Sequence, residues 1–121
     1  MARCVVVVED ETEVLSLLRD LLELEAYQVI GVETPELALP AIRGISPDLF
    51  LIDVMLPKMS GIELAIQLRA QGYPTTPMIG MSASRLMTRF AAQSSVFTQV
   101  IDKPFDLHTL TGAIERALAR S

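Results

Sequence analysis

One cysteine, one histidine and a deficit of basic charge set the first limits on this chain of 121 residues. A single thiol, Cys4, allows no internal disulfide and no thiolate metal cluster, and its place in an apolar run marks it as a packing residue. His108, the only histidine, falls on the first turn of the last predicted helix and is read as a surface residue. Ten Lys and Arg stand against fifteen Asp and Glu, a net charge of −5. Such a balance argues against a phosphate-tracking surface, so direct nucleic-acid binding by this domain is not expected. Long hydrophobic runs are also missing. The run from Cys4 to Val8 is too short for a secretory core or a membrane span, and acids follow it at once. A cytoplasmic protein without a membrane partner is the default expectation. Internal repeats, low-complexity segments and linkers are absent.

What is present suits one soluble domain. Half of the residues are hydrophobic and 21% are charged, and a chain of this length removes about two thirds of its surface from water on folding. Residues 1–121 are therefore read as a single domain with one core. Cys4 to Val8 is β-branched and predicts a buried first strand. Thr12 is placed as the cap of a helix whose Val14, Leu15, Leu18, Leu21 and Leu22 recur at helical spacing up to Leu24. The apolar face of that helix is wide, and broad burial against a sheet is expected for it. Gln28 to Val32 is a second strand. Thr34-Pro35 opens a helix toward Gly44 that Pro40 should shorten or bend. Asp48 to Ile52 is a third strand, and Gly61 to Gln71 a helix stopped by Gly72. Pro77 to Met81 is a fourth strand, followed by a helix capped by Ser84 with Leu86, Met87, Phe90 and Ala91 on one face. Phe97 to Ile101 is a fifth strand, and a last helix carries Leu107, Leu110, Ala113, Ile114 and Leu118. This βαβαβαβαβα order predicts a doubly wound α/β fold of the flavodoxin-like (βα)5 kind, a five-stranded parallel sheet with helices on both faces.

The third strand organises the rest. Its apolar run Phe50-Leu51-Ile52 ends in Asp53 and passes into the punctuated loop Pro57-Lys58-Met59-Ser60-Gly61. Runs without polar alternation belong to strands covered on both faces, and ligands of open α/β sheets bind beyond the carboxyl ends of such strands. Glu9-Asp10, Ser82 and Lys103 fall at or just past the ends of three other strands. Taken singly, the acids are favourable charge at a helix start, Ser82 a turn residue and Lys103 a surface lysine. Their coincidence at successive strand ends points to a site. Crowded carboxylates repel unless protonated or bridged by a cation, and oxygen ligands without Cys or His suit a hard ion such as Mg²⁺. Lys103 adds a charge suited to a phosphate oxygen and Ser82 a hydroxyl. The expected chemistry is phosphoryl transfer to the Asp53 carboxylate, giving an acyl phosphate. A general base is not required, since carboxylates are ordinarily ionised at neutral pH.

With these residues in place the chain resembles the receiver domain of two-component response regulators along essentially its whole length. The resemblance is carried by Val8-Glu9-Asp10-Glu11, by Ile52-Asp53-Val54-Met55-Leu56-Pro57 with Ser60-Gly61, by Met81-Ser82-Ala83 and by Lys103-Pro104-Phe105. It implies that Asp53 is the phosphoacceptor, Asp10 a direct Mg²⁺ ligand, Glu9 an acid reaching the ion through water, and Met55 a donor of its backbone carbonyl. Ser82 matches the switch hydroxyl and Lys103 the phosphate-pairing lysine. The implied protein is a signalling switch rather than an enzyme, assisting its own phosphorylation and slow autodephosphorylation. The implied partners are a histidine kinase or histidine phosphotransfer protein, a downstream effector domain or protein, and a homodimer through the last two helices. One position departs from the pattern: Val100 stands where the family commonly has Tyr or Phe. Phe97 lies three residues earlier, and strand alternation predicts that it points to the opposite side.

Two other readings fit parts of the pattern. A receiver-like interaction module working without phosphorylation would share the fold, but it would not require all five site groups. A Mg²⁺-dependent phosphohydrolase of the haloacid dehalogenase type also uses an Asp after a strand. That type carries a second Asp two residues on, where this chain has Met55. A flavin binder is compatible with the fold alone, yet no Ser/Thr/Gly-rich phosphate loop follows the first strand.

Overall fold

The three central apolar runs form strands that are buried at every residue: β1 (Cys4–Val8), β3 (Leu49–Asp53) and β4 (Met78–Ser82). In the computed structural model, which describes residues 2–119, they are flanked by β2 (Gln28–Val32) and β5 (Gln99–Asp102) in one parallel sheet of order β2-β1-β3-β4-β5. The expected doubly wound arrangement is present. Alternate strand residues feed two cores. Val5, Val7, Leu49, Leu51, Ile79 and Met81 face α1 (Thr12–Leu24) and α5 (Leu107–Ala119). Val6, Val8, Phe50, Ile52 and Met78 face α2 (Ala38–Ala41), α3 (Gly61–Ala70) and α4 (Arg85–Gln93). Burial on both faces explains why these strands show no polar alternation. Among the described residues no helix is long and apolar enough to cross a membrane.

Several local expectations shift. Thr12 is the first residue of α1, and Glu11 takes the cap position without a side-chain bond, its own N–H being held by Glu9. The apolar face of α1 is covered, with Leu15, Leu18 and Leu22 buried and Val14 and Leu21 half-buried, while Leu24 at its end and Leu17 beside it stay exposed. Asp48 lies before β3, its carboxylate accepting the Cys4 N–H at 2.7 Å. Phe97 precedes β5, which begins at Gln99.

Pro40 has the anticipated effect, with a specific geometry. A 3₁₀ turn over Pro35–Leu37 ends and α2 begins at Ala38, so Pro40 falls in the first turn of a four-residue helix. A missing N–H costs nothing there, because the first N–H groups of a helix have no internal partner. Ser84 caps α4, accepting the Met87 N–H at 3.2 Å. Of the four apolar residues expected on one face of α4, only Ala91 is buried, and Leu86 and Phe90 are exposed.

Candidate functional site

The chain reverses its direction of travel across the sheet between β1 and β3, so the carboxyl ends of these neighbours border the crevice where such folds place ligands. Glu9 leaves β1 still hydrogen-bonded to β2, its N–H donating to the Val32 carbonyl at 3.0 Å. Its side chain is fully buried, and one carboxylate oxygen accepts the Glu11 N–H at 3.1 Å. Asp53 ends β3 almost fully buried. Its Oδ1 accepts the Met55 N–H at 2.9 Å, and its Oδ2 lies 3.0 Å from Lys103 Nζ. The same ammonium donates to Glu9 Oε1. Lys103 is set in place by the end of the sheet, where its N–H donates to the Ser82 carbonyl at 2.8 Å, and a cis bond joins it to Pro104.

The electrostatics follow from this enclosure. Burial pushes the Glu9 carboxyl up to about 7, against the Lys103 hydrogen bond that pulls it down. Burial pulls the Lys103 ammonium down, but its bonds to Glu9 and Asp53 outweigh this and leave it raised. One cation thus serves two buried acids. Asp10 is the third acid and is half-buried. Ligand oxygens of Glu9, Asp10 and Asp53 all come within 4.8 Å of one another, a spacing and an all-oxygen donor set that fit a hard divalent ion. The residues present therefore fit Mg²⁺.

The loop behind Asp53 is drawn tight by a glycine. Gly61 N–H donates to the Val54 carbonyl at 2.8 Å, and a Cβ built on Gly61 would stand 2.3 Å from the Asp53 carbonyl oxygen. Only glycine lets α3 start against that backbone. Ser60 caps α3, its Oγ accepting the Glu63 N–H at 3.1 Å. The Gly61 contact escaped the sequence reading, although Ser60 and Glu63 carry the spacing of a capping box that marks the helix start.

Glu9, Asp53 and Lys103 are brought into direct contact, with Asp10 beside them. Ser82 ends the next strand and is fully buried. Its Oγ accepts the Ser84 N–H at 3.1 Å, which leaves its own proton to donate. Met55 donates its backbone N–H in a hydrogen bond to the Asp53 carboxylate, a role the sequence reading missed, while its side chain is exposed. His108 is exposed on α5. The expectation that Phe97 faces away from Val100 is not met: both pack on the core under α2, α3 and α4. Strand parity does not apply because Phe97 lies in the loop before β5.

A family model described as the response regulator receiver domain matches residues 5–115. Transcriptional regulatory protein CpxR of Escherichia coli (strain K12) is 34% identical over 117 residues, covering 97% of this chain and 50% of its own length. Transcriptional regulatory protein KdpE of Mycobacterium tuberculosis (strain ATCC 25618 / H37Rv) is 33% identical over 118 residues, covering 97% of this chain and 51% of its own length. This chain spans about half the length of these curated relatives. Among solved structures, a CheY-like response regulator receiver domain protein from Methanospirillum hungatei JF-1 is similar with a TM-score of 0.88. It is 25% identical, with 99% of this chain and 96% of that chain covered.

Proposed function

The chain belongs to the response regulator receiver domain family, and from that membership we propose that it is a phosphorylation-switched signalling module with Asp53 as phosphoacceptor. The observation that carries this reading is the Lys103 ammonium held between Glu9 and Asp53 at the carboxyl end of the sheet. An Asp53 carboxylate oxygen attacks the phosphorus of a phosphohistidine on a histidine kinase or phosphotransfer protein. The new O–P bond forms as the P–N bond breaks, and the imidazole leaves with the bonding pair. The Met55 amide orients Asp53 by holding Oδ1, and Lys103 supplies positive charge for the incoming phosphoryl oxygens. Mg²⁺, when bound, would neutralise charge on those oxygens; Glu9, Asp10, Asp53 and the Met55 main-chain carbonyl are the groups that would hold it.

Phosphate at Asp53 offers the Ser82 hydroxyl a new acceptor. Turning toward it weakens the hold of Ser82 on Ser84 and biases the loop leading into α4. Signalling is the role, with slow hydrolysis of the acyl phosphate resetting the switch. Residues 1–121 form one receiver domain in this reading, acting in the cytoplasm on a downstream effector domain or protein. A homodimer through α4 and α5 is one route for the output, and the domain does not itself contact nucleic acid or membrane.

Intact-protein mass after incubation with Mg²⁺ and a small acyl-phosphate donor tests the proposal. Gain of one phosphoryl group that requires both the metal and Asp53 supports it. No gain from the small donor and none from a cognate kinase, with the protein folded, leaves a module that works without phosphorylation.

A further inference from the structure

Helix α4 is tied at its start by polar bonds and packs on the sheet through half-buried Met87 and buried Ala91. At its start, Ser82 Oγ accepts the Ser84 N–H at 3.1 Å, Ser84 Oγ accepts the Met87 N–H at 3.2 Å, and Thr88 Oγ1 donates to the Ser84 carbonyl at 3.0 Å. These are short polar links running from the buried Ser82 into the first turn. Farther along, Ala91 is the only buried residue of α4, where α5 buries five. Ala91 shares its cluster with Phe97, which is 9% exposed.

Phe97 is held by the strand beneath its ring and through the backbone on either side. A Cβ built on Gly80 would stand 3.3 Å from three atoms of the Phe97 ring, so the ring occupies the notch left on β4 by the missing side chain. Gly80 is the direct partner of Val100 on β5, and Val100 packs on the same cluster. The backbone on both sides of Phe97 is pinned. Arg69, at the end of α3, donates from its guanidinium to the Val96 carbonyl at 3.1 Å and also to the carbonyls of Tyr73 and Thr76. Thr98 N–H donates to the Met78 carbonyl at 2.7 Å, and Thr98 Oγ1 accepts the Met78 N–H at 3.2 Å. A ring wedged into a glycine notch between two clamped neighbours has no room to swing.

We infer that Phe97 is a positioning residue, a fixed seat for the second half of α4, so that the switch moves only the helix's first turns while residues 91–101 stay in place. The inference rests on the reading of Asp53 as phosphoacceptor. Ser82 is the moving end, because its hydroxyl can exchange the Ser84 amide for a phosphoryl oxygen. The Phe97 seat is the pivot. Loosely buried elements respond to such bias before tightly packed ones do, and α4, which buries only Ala91, is loose beside the clamped segment of residues 96–98.

The test is amide hydrogen exchange of the full chain with Mg²⁺, with and without beryllofluoride as the phosphoryl probe, on wild type, Phe97→Ala, Phe97→Leu and Gly80→Ala. In the wild type the probe should change exchange at residues 83–88 and leave residues 91–101 unchanged. Phe97→Ala should spread the change through residues 91–101, and Phe97→Leu, which keeps most of the bulk, should restore the confined pattern. Gly80→Ala displaces the ring without removing it and should also spread the response, which covers the case of a poorly folded Phe97→Ala. A probe-induced change at residues 96–101 of the wild type equal to that at 83–88 overturns the inference. So does a confined pattern that survives in both Phe97→Ala and Gly80→Ala. If the Met55 and Lys103 amides also fail to respond in the wild type, the phosphoacceptor reading falls and takes this inference with it.

Discussion

Lys103 Nζ lies 3.0 Å from Asp53 Oδ2 across fifty residues of sequence, and the same ammonium reaches the fully buried Glu9. The residue just past the last strand thereby supplies the charge that makes an acidic pair at the ends of β1 and β3 tolerable in the folded state.

Replacing Asp53 by Asn keeps the size and the Met55 hydrogen bond but removes the attacking carboxylate. No phosphoryl mass gain is expected from a small acyl-phosphate donor, against one group on the wild type. Labelling at the wild-type rate would remove the proposed mechanism.

Lys103→Ala leaves Glu9 and Asp53 without their shared cation. Breaking a largely buried ion pair costs about 3 kcal/mol, so urea denaturation should show a lower midpoint with the slope unchanged. Some labelling of Asp53 is expected to persist, while the beryllofluoride-induced change at residues 83–88 is lost. An unchanged midpoint would mean that the ammonium contributes nothing net to holding the acids together.

Added Mg²⁺ should raise the melting temperature of the wild type, because an ion that binds only the folded form at a hundredfold excess over its dissociation constant stabilises by about 2.7 kcal/mol. Asp10→Asn removes one of the three clustered carboxylates and should shrink that rise. EDTA should abolish labelling. A Mg²⁺ response identical in Asp10→Asn and wild type would exclude Asp10 as a ligand.

Gly61→Ala forces a methyl group against the Asp53 carbonyl. Overpacking of this kind costs about 1 to 3 kcal/mol, and here the neighbour that must yield is backbone. Thermal melting should fall by several degrees and labelling of Asp53 should slow. A neutral substitution would show that the start of α3 can back away without disturbing the site.

Much of this protein is decided by local sequence. Unbroken apolar runs ending in Glu9-Asp10, Asp53 and Ser82, with Lys103 past the fifth, specify a parallel sheet and put chemistry at one edge, since a strand buried on both faces has no alternation to display. Strand ends carry polar groups in order along the chain, so the meeting of Glu9, Asp10, Asp53 and Lys103 was legible before its geometry. Pro40 likewise announced a short helix, because a proline's missing N–H is a local fact. Long-range packing decided the rest. Lys103 finding both Glu9 and Asp53 and Gly61 standing against the Asp53 backbone depend on approaches between segments that no spacing encodes. Phe97 shows the difference most clearly: parity along a strand sent it away from Val100, but a loop has no parity, and Arg69 and Thr98 turn that loop so that the ring fills the gap over Gly80. Periodicity fixes which face a residue takes within an element; only the assembled core decides where a residue between elements will rest.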